Sequence, residues 1–407
     1  MGLQQSEASY SCYLKLGNSP LVPHETAFDE WSRHIVLYLP VAEPDRWDAA
    51  SPTLTALLDY LSGDHWELQF RGMRAPPPAR PRRMRQQPHP IEATRVCLLS
   101  GGLDSAIGGA DLLEQGQRVT FVSHNAKSGG AIFSSPAQDR VISAFRRHYP
   151  GAPLQPLRFR LHPPAPVDGV TTSVTTTRSR SIIFFALGVL TASALDAAHG
   201  GAAVPLVVPE NGLISLNVPL TKARLGSWST RTTHPHTIAL LRDALTRLGL
   251  PTPIETPYSG TTKGEMLAAI AQRNHLLAQE LVGGSVSCAH PNLSRYQPED
   301  QRGAHCGVCV PCIIRRAAAQ HAGVDDGQYT YDLPTALADL RERKSERATD
   351  PLAFIYALEN RHRPARPFDI AKNGPLHVVT EAELRALLRV YDAGMDEVAR
   401  HLGVAIR

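Results

Sequence analysis

A chain of 407 residues is too long for one ordinary domain and predicts two or three. Hydrophobic residues at 43% and charged residues at 20% can bury a sizeable core, which excludes wholesale disorder. The net charge of +4, from 42 basic and 38 acidic residues, is too small to imply nucleic-acid binding by itself. The 33 prolines outnumber the 30 glycines and are clustered, which points to linkers and long loops. The first residues, MGLQQSEASYSC, lack a basic region followed by an apolar core, so export is not expected. The most apolar stretch, Ile182 to Leu195, contains Gly, Thr and Ser and falls short of the roughly 20 residues of a membrane span. It reads as a buried helix, and the expectation is a soluble, cytoplasmic protein.

Residues 1–72 read as a small α+β domain, with strands over 34–41 and 65–72 and helical spacing over 54–61. Residues 73–92 read as an Arg/Pro-rich linker. The stretch 71–91 holds six arginines and six prolines without one acid, which excludes a helix interior or a central strand. It is either a solvated spacer or an arm that touches phosphates or an acidic partner.

From residue 93 to 287 strands alternate with helices. Strands are expected within 94–100, 117–125, 153–161 and 202–212, and helices after residue 102 and over 137–149, 179–200, 236–249 and 264–281. Such alternation implies an α/β fold with a parallel sheet covered on both faces and ligands at the carboxyl ends of its strands. Residues 288–323 form a cysteine-bearing element. In 324–407, helices are expected over 334–347 and 380–404, with a loop-like segment around RHRPARPFDIAKNGP between them.

The segment Ser100-Gly101-Gly102-Leu103-Asp104-Ser105 follows a strand and precedes a helix. Two glycines let a ligand approach the backbone closely, and the helix N-terminus offers N–H groups to an anion. Ser100 and Ser105 add hydroxyls, while Asp104 either caps the helix or orients Mg²⁺. No Gly-Lys-Ser/Thr follows, so this is not a Walker loop. Glu210-Asn211-Gly212, at the end of the fourth strand of this domain, is either a reader of a purine-like base edge or a polar turn. Thr232-Thr233-His234-Pro235-His236 could line the same mouth, with His234 as an acid–base group. Trp228 and Tyr258 could stack on a base or belong to the core.

Six cysteines are present: Cys12, Cys97, Cys288, Cys306, Cys309 and Cys312. The last four lie within 25 residues, and three share two-residue gaps. Four thiolates in this pattern suit a closed, structural Zn²⁺ site. His290 or His305 could replace a thiol, and an iron–sulfur cluster is the alternative occupant.

Taken together, SGGLDS and the late CxxCxxC motif resemble the 7-cyano-7-deazaguanine synthase (QueC-like) family of PP-loop ATP pyrophosphatases. Cys306-Gly307-Val308-Cys309-Val310-Pro311-Cys312-Ile313-Ile314-Arg315 matches that family's zinc signature. Arg178-Ser179-Arg180-Ser181 matches its arginine motif, and Thr262-Lys263-Gly264-Glu265 its Thr-Lys-x-Glu element. The likeness spans roughly residues 94–323. The family's aromatic–Gly–Gln–Arg–His element is here VSHNAKSGG, and its Tyr-Pro-Asp-Cys-Arg segment is absent. The added N-terminal and C-terminal regions resemble the layout of the family's branch in bacterial anti-phage defence operons.

The resemblance implies ATP and Mg²⁺ chemistry on a 7-deazaguanine carboxylate, with activation as an acyl-adenylate and transfer to an amine. It places Ser100, Gly101, Gly102, Asp104 and Ser105 on pyrophosphate and Mg²⁺, and Arg178, Arg180 and Lys263 as cations against phosphate or acyl-adenylate. The amine would be ammonia or a protein partner from the same operon. Three alternatives stand beside this reading: a noncatalytic ATP-binding subunit, nucleic-acid handling through the arginine arm, and a tRNA-base-modifying PP-loop enzyme. No membrane role is expected.

Overall fold

The computed structural model describes residues 27–73, 91–124, 134–159, 161, 181–220, 230–290, 305–325 and 327–406. Near the N-terminus, β1 (His34–Val41) and β2 (His65–Gly72) pair in parallel, His34 opposite His65 and Val41 opposite Gly72. The crossover between them is α1 (Pro44–Ser62), which starts with proline in its first turn and ends at Gly63 with φ +73°. The unit is therefore βαβ rather than a segregated α+β arrangement. Alternate residues Ile35, Leu37, Leu39 and Val41 face inward with Leu58, Trp66 and Leu68. At its base the buried Arg33 and Asp64 side chains meet at 2.6 Å.

Period-two alternation also decides the architecture of the central domain. Its strands are β3 (Arg95–Leu98), β4 (Val119–His124), β5 (Leu157–Phe159), β6 (Leu206–Val207) and β7 (Ile254–Glu255). They are all parallel, in the order β5-β4-β3-β6-β7. Between them run α2 (Leu103–Glu114), α3 (Ser134–His148), α4 (Ser181–Ala198), α5 (Gly212–Leu216) and α6 (Pro235–Arg247). Cys97, Leu99, Phe121 and Val207 point into one apolar layer, with Ile107 of α2 and Phe145 of α3. Val96, Leu98, Val122 and Leu206 point into the other, with Phe185 and Leu187 of α4 and Leu241 of α6. The chain is thus a mixed α/β protein whose central parallel sheet is covered on both faces, as the alternation of elements implied.

By length and composition α4 is one helix able to cross a membrane. Here it is a core helix. Gly188 lets it settle on the sheet, where a Cβ would come within 2.6 Å of Leu206. On the outside of that layer α1 packs against α6, and the Thr53 hydroxyl donates to Asp243 at 2.6 Å.

Two expectations change in the last part of the chain. The single helix read over 264–281 is two, α7 (Lys263–Arg273) and α8 (His275–Gly284). Asn274 leaves helical geometry at φ −150° and accepts the N–H of Leu277, so its side chain caps the second helix. After α9 (Val310–His321) and α10 (Thr335–Glu342), a helix not expected from the sequence, α11 (Thr349–Asn360), precedes the short α12 (Pro367–Ile370) and the long α13 (Glu381–Leu402). The cysteine segment and these helices share one core, in which Cys309, Cys312 and Ile313 pack with Phe354, Val390 and Met395.

Candidate functional site

The glycine loop leaves β3 and turns into α2. Gly101 has φ +88°, a conformation L side chains rarely adopt, and a Cβ there would lie 3.1 Å from the backbone N of Gln138. Gly102 is the N-cap of α2 and contributes no side-chain cap. Ser100 Oγ accepts the N–H of Gly102 at 3.2 Å and lies 3.3 Å from Ser105 Oγ, which donates to the Gly102 carbonyl at 2.9 Å. The turn is thus closed by its own two serines. Across from it, Val286 N donates to the Gly101 carbonyl at 2.9 Å, and Leu103 N donates to Ser287 Oγ at 3.3 Å.

The strand order places this loop at a special position. Strands β3 and β6 are neighbours, and the chain builds outward in opposite directions from them. In open parallel sheets that switch point leaves a crevice at the carboxyl edge. Asp104 follows β3 there and Asn211 follows β6. Asn211 Nδ2 donates to Asp104 Oδ2 at 2.8 Å while its Oδ1 caps α5 by accepting Ile214 N at 3.1 Å. The nearly buried Lys263 places Nζ 3.3 Å from Asp104 Oδ1. Lys263 opens α7 behind a capping box made by Thr262 and Glu265.

Beside this trio, the Glu210 carboxylate accepts a short hydrogen bond from Thr233 Oγ1, which lies 3.0 Å from Ser215 Oγ. Burial pushes the Glu210 carboxyl up to about 7, the nearby Asp104 charge adds to the shift, and Thr233 and Lys263 oppose it. Among the described residues the site therefore holds one fixed cation, Lys263, one carboxylate paired to it, Asp104, and a second carboxyl, Glu210, raised to about 7.

Other candidates have different settings. His234 is fully buried, caps α6 by accepting His236 N at 3.2 Å and packs against Tyr60. Burial holds its ring far down, at about 3, so it is neutral at pH 7. Gly212 is a point of close approach, since a Cβ would meet the Ser259 carbonyl at 2.0 Å. Tyr258 donates to Asp111 at 2.5 Å and packs on the α2 layer, in keeping with a core role. Arg178, Arg180, Trp228, Cys12 and most of the arginine arm lie outside the described residues. Sequence reasoning did not single out Ser287, which meets the loop. Its position one residue before Cys288 was the available signal.

The four thiols of Cys288, Cys306, Cys309 and Cys312 lie within 4.8 Å of one another. Cys306 Sγ and Cys312 Sγ are 3.8 Å apart, close to the edge of about 3.8 Å of a tetrahedron with Zn–S bonds of ~2.3 Å. Gly307 makes the knuckle turn with φ +85°, and a Cβ there would strike the Tyr331 carbonyl at 2.1 Å. Backbone N–H groups of His290 and Cys306 aim at Cys288 Sγ at 3.3 and 3.4 Å, and that of Cys309 at Cys306 Sγ at 3.4 Å. This cluster is compatible with zinc. Neither His290 nor His305 belongs to it. His305 is buried, takes a 3.4 Å approach from Ser287 N at Nε2 and packs on Tyr329. The buried Arg315 donates to Ser285 Oγ at 3.0 Å and to the Val282 carbonyl, tying the knuckle's helix to the end of α8.

No protein-family model matches the chain. Nor does any curated protein match it.

Proposed function

We propose that the chain is an ATP-dependent ligase of the 7-cyano-7-deazaguanine synthase type, forming AMP and pyrophosphate. The observation that carries this reading is the glycine loop at the strand-order switch, with Asp104 held between Asn211 and Lys263. A triphosphate would lay its β and γ groups on the loop and the α2 N-terminus, with the Ser100 hydroxyl as donor and Ser105 holding the turn through the Gly102 carbonyl. Lys263 would then neutralise charge on the α-phosphate region, helped by Arg178 and Arg180. Because the barrier is charge on phosphate oxygens, fixed cations and N–H donors supply most of the catalysis.

In the first step a 7-deazaguanine carboxylate oxygen bonds to the α-phosphorus and pyrophosphate leaves. In the second an amine nitrogen bonds to the acyl carbon, AMP leaves, and the amine's proton passes to Glu210. A carboxyl titrating near 7 suits that role better than the neutral, helix-capping His234. Asp104 is enough carboxylate for Mg²⁺, which normally takes one or two together with substrate phosphates. Zinc would be held by Cys288, Cys306, Cys309 and Cys312. It would supply a closed structural brace, with no open position for substrate. The amine is ammonia or a protein partner of the same defence operon, and the setting is cytoplasmic.

The test is incubation with ATP, Mg²⁺ and 7-carboxy-7-deazaguanine, followed by separation of AMP from ADP and intact-mass analysis of any partner. Carboxylate-dependent AMP and pyrophosphate support the reading. ATP binding without either product would replace it with a noncatalytic nucleotide-binding subunit.

A further inference from the structure

The Thr262–Glu265 turn carries the lysine of the candidate site, yet its backbone is finished by a helix more than a hundred residues later. Glu397 of α13 is 3% exposed. Its carboxylate accepts the Thr262 hydroxyl through Oε1 and the Gly264 N–H, at 3.3 Å, through Oε2. Those two donors flank Lys263. Gly264 has no room for a side chain, because a Cβ would fall 2.4 Å from Glu397 Oε1. Two turns earlier on the same helix, Arg389 donates to Glu265 at 2.6 and 3.0 Å and to the Gly260 carbonyl at 2.5 Å.

The same helix also supports the other partner of Asp104. Val390 would lie 3.0 Å from a Cβ on Gly212, and Leu213 would lie 2.6 Å from one on Gly394. Both gaps can only be closed by glycine at such separations. So α13 packs directly on the residues that follow Asn211 and grips those on either side of Lys263.

We infer that Glu397 is a positioning residue, and that α13 sets the spacing of Lys263 and Asn211 about Asp104. Its part in turnover rests on the adenylating reading, but its part in geometry does not. On this account the C-terminal region is a wall of the site rather than an appended docking module. A helix stripe of Leu387, Val390, Met395 and Val398 buries the apolar side that brings Glu397 into place.

The test compares Glu397→Ala, Glu397→Gln and Arg389→Met in the full chain. Amide exchange over 262–266 is read without ligand, beside AMP formation and the KM for ATP. Loss of the buried acceptor of the Thr262 hydroxyl and the Gly264 N–H is expected to speed exchange at Gly264 by about tenfold or more in Glu397→Ala, while β3 and β4 keep their protection. AMP formation falls by a similar factor with a smaller change in KM. Glu397→Gln, which still accepts the Thr262 hydroxyl, recovers much of both, and Arg389→Met gives a weaker version of the same pattern. Unchanged exchange over 262–266 in Glu397→Ala overturns the inference. So does an increase spread evenly over the chain in all three variants. If the wild type forms no AMP, the ligase reading fails, and the exchange pattern still decides this one.

Discussion

The glycine loop and the cysteine knuckle are built alike and equipped differently. Each places a glycine of positive φ, Gly101 or Gly307, just ahead of a helix N-terminus. Each helix begins behind an N-cap without a side-chain cap, and each has an early N–H taken by an oxygen from elsewhere. Leu103 N is taken by Ser287 Oγ at 3.3 Å, and Val310 N by Asp350 at 3.1 Å. The knuckle surrounds its turn with four soft sulfur donors, three of them local. The loop surrounds its turn with hydroxyls and a carboxylate whose partners come from distant segments. The same backbone device thus carries a thiol cluster compatible with zinc at one place and a ring of hydroxyls and a carboxylate at the other, according to side chains alone.

The comparison is broken most severely at the knuckle. Replacing Cys309 with Ser, or stripping metal with a chelator, is expected to cost several kcal/mol, because structural zinc contributes folding free energy directly. Thermal melts with metal content measured in parallel will show it. If both treatments leave the melting temperature unchanged, the thiols are not a metal brace.

Next in size is Lys263→Met. It leaves Asp104 without its cation and is expected to destabilise by about 3 kcal/mol, as broken buried pairs do. Urea unfolding measures this, and adding Asp104→Asn is expected to restore part of the loss. Gly101→Ala comes third. The positive φ alone costs about 1–2 kcal/mol, and ATP affinity by calorimetry is expected to drop more than stability does. Equal losses would mean that the turn is structural only.

The smallest effects are those of pH. Burial raises Glu210 and Glu397 from 4.5 to about 7 in the folded chain. A carboxyl raised on folding stabilises the folded state below about 4.5, and that contribution is lost as pH rises through about 7. Glu265 and Asp243, held low by Arg389 and Arg247 respectively, contribute in the opposite sense. The difference between wild type and Glu397→Gln isolates one group. Their melting temperatures are expected to converge toward acid pH and to separate, with the variant higher, between pH 5 and 8. For turnover, Glu210→Gln is expected to remove a rise in rate centred near pH 7, and a profile identical to wild type would exclude Glu210 as the proton acceptor.

Much of the architecture was legible because a strand of period two or a helix of period 3.6 is written in neighbouring residues. The parallel sheet, the loop between β3 and α2 and the thiol set all follow from such local patterns. The two-residue strand β7 was not legible, since Ile254 and Glu255 offer no alternation to read. The break at Asn274 was missed because the apolar spacing continues across it, although asparagine before a helical run is itself a cap signal. Asn211 and Lys263 are 107 and 159 residues from Asp104, counted from their positions. No local pattern can state that they converge. Glu397 left a fainter trace: it stands seven positions after Val390, on the apolar stripe of α13, where a carboxylate must have a partner.

The dependence of the Lys263 turn on α13 has a consequence for biosynthesis. A ribosome delivers the glycine loop, the sheet and α7 well before the residues that grip them. During that interval the Thr262 hydroxyl and the Gly264 N–H have water rather than the Glu397 carboxylate as partner. A chain cut short upstream of α13 is therefore expected to lack the Glu397 contacts that hold the Thr262–Glu265 turn.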